Sequence, residues 1–198
     1  MLAWTLERFE RATSIESIVL VVAEDQLLYA GEKVVDPYGF HKVTRIVPGG
    51  EVRRESVLKG LERLPLSTQL VAIHDGARPL VQPADIDAVV ATAASERAAM
   101  LAAKVTDTVK RVKEGYIMGT LERDSLYLAQ TPQVFQYDII MKAHREAAAN
   151  GLDVTDDAAL VEKSGFKVKI VEPTRPNLKV TCRDDLIAAE AYLKESER

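Results

Sequence analysis

Residues 69–79 read Gln-Leu-Val-Ala-Ile-His-Asp-Gly-Ala-Arg-Pro, an apolar run that changes abruptly into a loop of charge, glycine and proline. The run at 69–74 predicts a strand in a sheet that is covered on both faces. The loop would then lie at the carboxyl edge of the sheet, where open α/β folds bind ligands. Because a carboxylate can hold Mg²⁺ and an arginine can bind phosphate, Asp75 and Arg78 are candidate site residues. A turn held by an Asp75–Arg78 ion pair is the alternative, and we favour the ligand site.

Strands alternate with helices on both sides of this stretch. The alternation predicts an α/β protein with a doubly wound, mostly parallel, Rossmann-like sheet. The predicted strands are 18–23, 44–47, 69–74, 100–103 and 166–172, and the predicted helices are 2–12, 56–64, 83–99, 138–149, 156–163 and 184–195.

Residues 104–135 break this alternation. Apolar residues, among them Val112, Tyr116 and Ile117, surround the Lys-Glu-Gly at 113–115, which indicates an extended hairpin rather than a crossover helix. An exposed arm of this kind buries its apolar side best against a second subunit. We therefore predict a β-arm insertion at 104–135 and, as a hypothesis, a symmetric dimer.

Composition limits the class of protein. The 198 residues suit a single domain over 1–198, and 47% hydrophobic with 28% charged residues indicates a packed core rather than disorder. With 26 Lys+Arg against 30 Asp+Glu, the net charge of -4 gives no reason to expect nucleic acid or an anionic membrane as partner. The longest apolar run, 18–23, is too short to span a bilayer, and no signal peptide is visible.

Several familiar kinds of site are excluded by residue type or spacing. The single cysteine, Cys182, excludes a disulfide within the chain and fits a reducing compartment, so the cytoplasm is the predicted location. The three scattered histidines form no His-Glu-x-x-His zinc motif. The glycines match neither a dinucleotide fingerprint nor a Walker A loop, and there is no Gly-x-Ser-x-Gly elbow.

Other segments are ambiguous by themselves. Gly49 and Gly50, which can adopt positive φ, precede a helix that offers Arg53 and Ser56, so a base or phosphate site competes with an ordinary turn, and the residues alone favour the turn. Thr155 is expected to cap the helix that Asp156 and Asp157 begin, and Thr181 and Asp184 are spaced as a capping-box variant. Lys179 is either a surface lysine or a phosphate clamp. Thr108 and Arg123, in the arm, are also ambiguous.

Taken together and in this order, these segments resemble the 2-C-methyl-D-erythritol 4-phosphate cytidylyltransferases of the non-mevalonate isoprenoid pathway, over essentially the whole chain. The resemblance rests on Gly-Gly-Glu-x-Arg-x-x-Ser-Val at 49–57, His-Asp-Gly-Ala-Arg-Pro at 74–79, Thr-Asp-Thr-Val-Lys-Arg at 106–111, Arg123 with Gln-Thr-Pro-Gln at 130–133, Thr-Asp-Asp at 155–157 and Asn-Leu-Lys-Val-Thr at 177–181.

The resemblance implies a reaction and its ligands. A phosphate oxygen of 2-C-methyl-D-erythritol 4-phosphate would attack the α-phosphorus of CTP, releasing pyrophosphate and forming 4-diphosphocytidyl-2-C-methyl-D-erythritol. The implied cofactor is Mg²⁺ or another divalent cation. Such an in-line transfer needs alignment and charge neutralisation more than a covalent enzyme intermediate.

The resemblance also implies the site residues. Arg123 and Lys179 would be the catalytic residues that position the methylerythritol phosphate, and Thr108 and Arg123 would serve the site of the partner subunit in a homodimer. The implied nucleotide-binding residues are Gly50, Glu51, Arg53, Ser56 and Asp75, with Asp75 also at the metal, and the implied substrate-binding residues are Arg78, Thr108, Thr131 and Thr155. Glu51 stands where the family usually has Asp.

The family pattern differs at the amino end. Family members usually begin with a strand, a glycine-rich loop and a Pro-Lys-Gln segment before the helix that residues 1–12 resemble, and without that interior strand the neighbouring sheet edges would be exposed. Three interpretations follow: a cytidylyltransferase that is amino-terminally incomplete, a cytidylyltransferase for another alditol phosphate such as ribitol 5-phosphate, or a non-catalytic dimeric phosphosugar-binding protein.

Overall fold

The computed structural model describes residues 1–152 and 154–196. The strands are β1 Ile18–Val22, β2 Val43–Pro48, β3 Leu70–Ile73, β4 Ala98–Lys104, β5 Lys110–Lys113, β6 Tyr116–Thr120, β7 Tyr127–Gln136 and β8 Lys169–Val171. The helices are α1 Leu2–Arg11, α2 Leu27–Ala30, α3 Asp36–Tyr38, α4 Arg53–Leu61, α5 Pro83–Glu96, α6 Tyr137–Asn150, α7 Asp157–Lys163 and α8 Arg183–Ser196.

The larger sheet has the strand order β3-β7-β4-β8, and a smaller sheet pairs β1 with β2 in parallel. β8 is parallel to β4, and β7 is antiparallel to both β3 and β4, so β7 alone runs against the other strands of the larger sheet. The predicted mostly parallel α/β architecture is therefore confirmed, with one antiparallel strand in its interior.

The protruding hairpin is shorter than the arm predicted at 104–135. It consists of β5 and β6, whereas residues 127–136 form β7 in the middle of the larger sheet. Val134 and Phe135 explain this placement, because both are fully buried and lie on opposite faces of β7. An apolar pair of this kind needs cover on both sides, which an exposed arm does not provide.

Helices cover both faces of the larger sheet. On one face, Val134 belongs to the same buried cluster as Phe9 of α1 and Ile86 of α5. On the other face, Phe135 belongs to a cluster with Ile140 of α6, and α4 and α7 contribute further apolar residues. This three-layer arrangement follows from strands whose successive residues point to opposite faces, each of them apolar.

The helix boundaries differ most from the sequence prediction at α5 and α4. The helix expected at 83–99 ends at Glu96, because Arg97 adopts a left-handed conformation with φ 74° and donates its N–H to the carbonyl of Ala93. The helix expected from Ser56 begins at Arg53. The second difference places Arg53 at the very start of α4.

Helix α1 joins the two sheets. The hydroxyl of Thr5 donates to the carbonyl of Gly76 at 2.9 Å, just beyond β3 of the larger sheet. The Glu10 carboxylate accepts the backbone N–H of His41 at 3.0 Å, close to β2 of the smaller sheet. No helix within 1–152 or 154–196 is both long and apolar enough to cross a membrane.

A cleft of about 880 Å³ separates the two sheets. β1 and β3 both line it, and among the described residues β1 pairs only with β2 and β3 only with β7. Each strand therefore has an open edge, in agreement with the exposed sheet edges that the sequence led us to expect. Arg53, Ser56 and Asp75 line the same cleft, so it reaches the candidate functional site.

Candidate functional site

Asp75 lies just past the carboxyl end of β3 and is surrounded by cations. The ammonium nitrogen of Lys179 is 3.0 Å from its Oδ2, and Nε of Arg53 is 3.3 Å from its Oδ1. Nε of Arg78 lies 3.6 Å from Oδ2. Three of the sequence-predicted site residues therefore converge on the fourth, although they come from three separate parts of the chain.

Charge and burial set the protonation states in this cluster. Burial raises the pKa of Asp75, but Lys179 and Arg53 outweigh burial and leave that pKa below its ordinary value. Burial lowers the pKa of Arg53, but the carboxylates of Asp157 and Asp75 raise it above its ordinary value. Burial lowers the pKa of Arg78, and its pairing with Asp75 offsets only part of this effect. Because three cations face these two carboxylates, the cluster favours a further anion.

Backbone contacts hold Asp75 in place. Its N–H donates to the hydroxyl oxygen of Thr131 on β7 at 3.0 Å, and its carbonyl accepts the N–H of Arg78 at 3.0 Å. Thr131, a predicted substrate-binding residue, is itself buried, at 4% exposure. The structure therefore brings Thr131 to the site as a support of the loop that carries Asp75.

Asn177 fixes the segment that carries Lys179. Its side-chain amide donates to the carbonyl of Thr131 at 2.9 Å, and its own carbonyl accepts from Nη1 of Arg78 at 2.8 Å. The sequence predicted no role for Asn177 beyond its place in the segment 177–181. Its role could have been suspected, because an amide side chain can hold two segments together and Asn177 lies two residues before Lys179, a predicted site residue.

The glycine pair allows close packing against α4. The N–H of Gly50 donates to the Ser56 hydroxyl at 3.0 Å, a Cβ at Gly49 would lie 2.8 Å from that hydroxyl oxygen, and a Cβ at Gly50 would clash with the Glu55 side chain. Neither glycine has positive φ, so the conformational reason expected from the sequence is wrong. Glycine is needed here because no side chain fits between the loop and the helix.

Thr155 and Glu51 flank Arg53 without joining the ion cluster. Thr155 lines a small cavity of about 70 Å³ together with Arg53 and Asp157, and Glu51 is exposed in the loop before α4. The predicted capping role of Thr155 is wrong: Asp156 caps α7 by accepting the N–H of Ala159 at 3.0 Å. Thr155 is exposed and therefore accessible to a ligand.

A second capping prediction also needs correction. The side chain that closes the turn before α8 is Asp185, which accepts the N–H and the hydroxyl of Thr181 at 2.9 and 2.7 Å, and not Asp184. Asp185 also accepts the N–H of Cys182 at 3.0 Å, because its side chain, three residues later in the first turn of α8, reaches back to the backbone before the helix.

Thr108 and Arg123 lie in the arm region. Arg123 donates from Nη1 to the carbonyl of Thr106 at 2.8 Å, and Thr108 is exposed just before β5. Within 1–152 and 154–196, the contacts described above join neither residue to Asp75 in the same chain. Their service to a partner subunit stays a prediction.

Asp75 is the one predicted metal ligand. No group of three or more His, Cys, Asp or Glu side chains suited to a metal occurs among residues 1–152 and 154–196. Mg²⁺ needs no such cage, since it is commonly bound by one or two carboxylates together with substrate phosphates and water. A half-buried, ionised Asp75 beside three cationic side chains therefore has the chemistry to hold Mg²⁺ together with a phosphorylated ligand.

Comparisons with known proteins show the family of this chain. The family model for 2-C-methyl-D-erythritol 4-phosphate cytidylyltransferase (IspD) matches residues 1–195. The enzyme of that name from Pelotomaculum thermopropionicum is 48% identical over 190 residues, covering 96% of this chain and 80% of the relative. The one from Desulforamulus reducens is 45% identical over 195 residues, covering 98% and 83%.

A solved structure is also similar. The 4-diphosphocytidyl-2C-methyl-D-erythritol synthase of Anaerococcus prevotii superposes with a TM-score of 0.88 at 31% identity, covering 98% of this chain and 85% of that one. Both sequence and fold therefore lead to one assignment. The chain belongs to the 2-C-methyl-D-erythritol 4-phosphate cytidylyltransferase family.

Proposed function

We propose that this chain transfers the cytidylyl group of CTP to 2-C-methyl-D-erythritol 4-phosphate, forming 4-diphosphocytidyl-2-C-methyl-D-erythritol and pyrophosphate. The observation that carries the proposal is the convergence of Arg53, Arg78 and Lys179 on Asp75, in a chain of this family. The names of the similar enzymes from Pelotomaculum thermopropionicum and Desulforamulus reducens support the choice of substrate.

The chemistry explains why cations have to dominate the site. A triphosphate and a phosphate monoester, both anionic, must approach until an oxygen of the monoester reaches the α-phosphorus. Fixed cations lower the cost of this approach, and they stabilise the charge that builds up on the α-phosphate oxygens. Arg78 and Lys179 supply that charge from buried or anchored positions, so little reorganisation is needed during the reaction.

Asp75 is proposed to hold Mg²⁺ or another divalent cation together with oxygens of the triphosphate. When bound, the ion would neutralise charge on the phosphates. Asp75 contacts Lys179 and Arg53 in the ligand-free chain, and these contacts keep its carboxylate ionised and oriented. Those side chains would then be available to bind phosphate oxygens.

The two substrates are proposed to lie on different sides of Asp75. The nucleotide would lie along the loop and first turn of α4, where Arg53 and Ser56 line the large cleft and Gly50 and Glu51 precede them in the loop. The proposed phosphoalditol side consists of Lys179, Arg78, Thr131 and Thr155, completed in a homodimer by Thr108 and Arg123 of the partner subunit.

The test is pyrophosphate release by the 198-residue chain with CTP, Mg²⁺ and 2-C-methyl-D-erythritol 4-phosphate. Parallel reactions contain ribitol 5-phosphate instead, or EDTA. We expect turnover with the methylerythritol phosphate that EDTA abolishes. Faster turnover with ribitol 5-phosphate would overturn the substrate assignment, and turnover that persists in EDTA would overturn the metal assignment.

Asp75→Asn serves as the matched variant for the same assay. It keeps the size of the side chain but removes the charge that the three cations share, so we expect a folded protein without turnover. The reaction is also assayed with the chain extended by the amino-terminal strand and glycine-rich loop that family members usually carry. If both proteins are folded and neither gives turnover, the proposed reaction is wrong, and a phosphosugar-binding role takes its place.

A further inference from the structure

A buried acid and imidazole lie directly behind Arg53. Nη1 of Arg53 is 2.7 Å from Oδ2 of Asp157, and Oδ1 of Asp157 is 2.9 Å from Nε2 of His144. The side chains of Asp157 and His144 are 2% and 0% exposed. The nucleotide and metal assignments above do not use either residue, and capping explains only that an acid stands near the start of α7.

Because Asp157 is buried, its carboxylate has to be paired. A carboxylate removed from water has to be compensated by positive charge and hydrogen bonds. Oδ1 of Asp157 is hydrogen-bonded to Nε2 of His144, whereas Oδ2 has no partner with hydrogen-bond geometry among the described residues and is compensated by the charge of Arg53 at 2.7 Å. The second ring nitrogen of His144, Nδ1, is buried without a hydrogen-bond partner among the described residues. A proton on Nδ1 would be an unsatisfied buried donor, so the arrangement fits a neutral ring that donates from Nε2 to Asp157.

The start of α7 is anchored independently of this pair. Gln133 of β7 donates from Nε2 to Oδ2 of Asp156 at 2.9 Å and accepts the N–H of Ala158 at 2.8 Å. These two bonds flank Asp157 along the chain and fix its backbone. What remains free to vary is the orientation of the Asp157 carboxylate, and the hydrogen bond from His144 sets that orientation.

We propose that Asp157 and His144 are positioning residues that hold the Arg53 guanidinium at the nucleotide side of the site. Arg53 contacts Asp75 through Nε and Asp157 through Nη1, so two carboxylates hold different nitrogens of its guanidinium. Asp157 would still hold Arg53 when Asp75 binds a cation. The inference rests on the proposed function for the role of Arg53 toward CTP, but not for the geometry of Arg53 itself.

The test distinguishes the hydrogen bond of His144 from the space that its ring fills. His144→Phe keeps a planar ring but removes the donor, His144→Gln restores a donor near Nε2, and His41→Phe is the control at an exposed histidine. We expect His144→Phe to raise the KM for CTP about tenfold, the effect of losing a hydrogen bond to a charged group. The kcat and the KM for the alditol phosphate should stay within about twofold, and His144→Gln should recover most of the loss.

A second readout does not depend on turnover. The ¹⁵N relaxation of the Arg53 Nε–H group in the ligand-free chain reports how firmly the guanidinium is held. We expect it to become more mobile in His144→Phe and Asp157→Asn and to stay unchanged in His41→Phe. If the test above rejects the proposed reaction but Arg53 still becomes more mobile in these variants, the proposed function fails and the positioning role stands.

Two results would overturn the inference. One is an Arg53 signal and a KM for CTP that are both unchanged in His144→Phe. The other is a parallel change of kcat and both KM values with a lower Tm that His144→Gln does not reverse, since this pattern indicates a purely structural role in the core.

Discussion

Lys179 is anchored through its neighbours rather than through its own side chain. The side chain is 43% exposed, yet its ammonium group lies 3.0 Å from Asp75, because buried Asn177 fixes the segment two residues earlier. An exposed ion pair contributes little to stability. The position of Lys179 is therefore expected to influence activity far more than folding.

Lys179→Ala should raise the KM for the alditol phosphate about ten- to a hundredfold, since a charged hydrogen bond to a phosphate is lost. Lys167→Ala, at an exposed lysine outside the cluster, is the matched control and should behave like the unchanged chain. Steady-state kinetics and thermal melts check both expectations. Unchanged kinetics in Lys179→Ala would contradict its assignment to the phosphoalditol side.

His74 makes stability depend on pH. Burial lowers its pKa from 6.5 to about 4, and a hydrogen bond to the carbonyl of Arg78 and the charge of Asp75 oppose this shift only in part. Between these two values the unfolded chain binds a proton that the folded chain does not. The contribution of neutral, buried His74 to the free energy of unfolding is therefore fully present above about pH 6.5. It is lost as the pH drops toward 4, which lowers that free energy by up to about 3 kcal/mol.

Urea unfolding between pH 4 and 7.5 tests this expectation. His74→Gln retains a donor for the Arg78 carbonyl but does not titrate. As the pH falls, the unfolding free energy of the unchanged chain should therefore decrease relative to that of the variant. A constant difference across this range would show that His74 does not titrate as its burial implies.

At the scale of the element, the β5–β6 hairpin carries apolar side chains into solvent. Val112 and Ile117 are cross-strand partners on one face of the hairpin, and they are 55% and 65% exposed. A two-stranded hairpin is marginally stable by itself, so a partner surface would stabilise it. This supports the homodimer that the proposed function includes.

Ile117→Lys is expected to weaken dimerisation without a loss of monomer stability, because a charge replaces an apolar contact only at the subunit interface. Leu66→Lys is the matched control, since Leu66 is 98% exposed in the loop between α4 and β3. Sedimentation velocity across a concentration series measures the effect. A chain that is monomeric at all concentrations before substitution would contradict the dimer and the partner role of Arg123.

The two sheets of the molecule line one cleft but differ in how many of their strands are paired on both edges and covered by helices. In the larger sheet β4 and β7 are interior strands, covered by helices on both faces. β1 and β3 have open edges toward the cleft, and α1 spans it through Thr5 and Glu10. Local stability should therefore vary strongly across the structure.

Amide hydrogen exchange is expected to show this difference. Amides of β4 and β7 should exchange only through global unfolding, whereas the N–H groups of β1 and β3 that are not bonded to β2 or β7 should exchange much faster. Mass spectrometry of peptic fragments or NMR can measure both sets. Equal protection in the two sets would mean that the cleft is closed in solution.

Much of this arrangement could be predicted from the sequence. The apolar run at 69–74 and the loop after it identified β3 and put Asp75 at its carboxyl end, because strand periodicity and loop composition are local properties. The order of the motifs identified the family. The cationic residues of the proposed site could be recognised by type, and Arg53, Arg78 and Lys179 do converge on Asp75.

Other features are decided by packing between distant segments, which no local pattern encodes. Strand β7 was assigned to the arm because its place between β3 and β4 depends on long-range pairing. Gly50 is required by its approach to α4 and not by its φ angle. Asp157 was interpreted as a helix-start acid, yet the fold buries it between Arg53 and His144, 104 and 13 residues away along the chain. Composition and local patterns therefore specify which chemical groups are present and which sheet carries them, whereas packing between distant segments specifies which of these groups lie together and are buried.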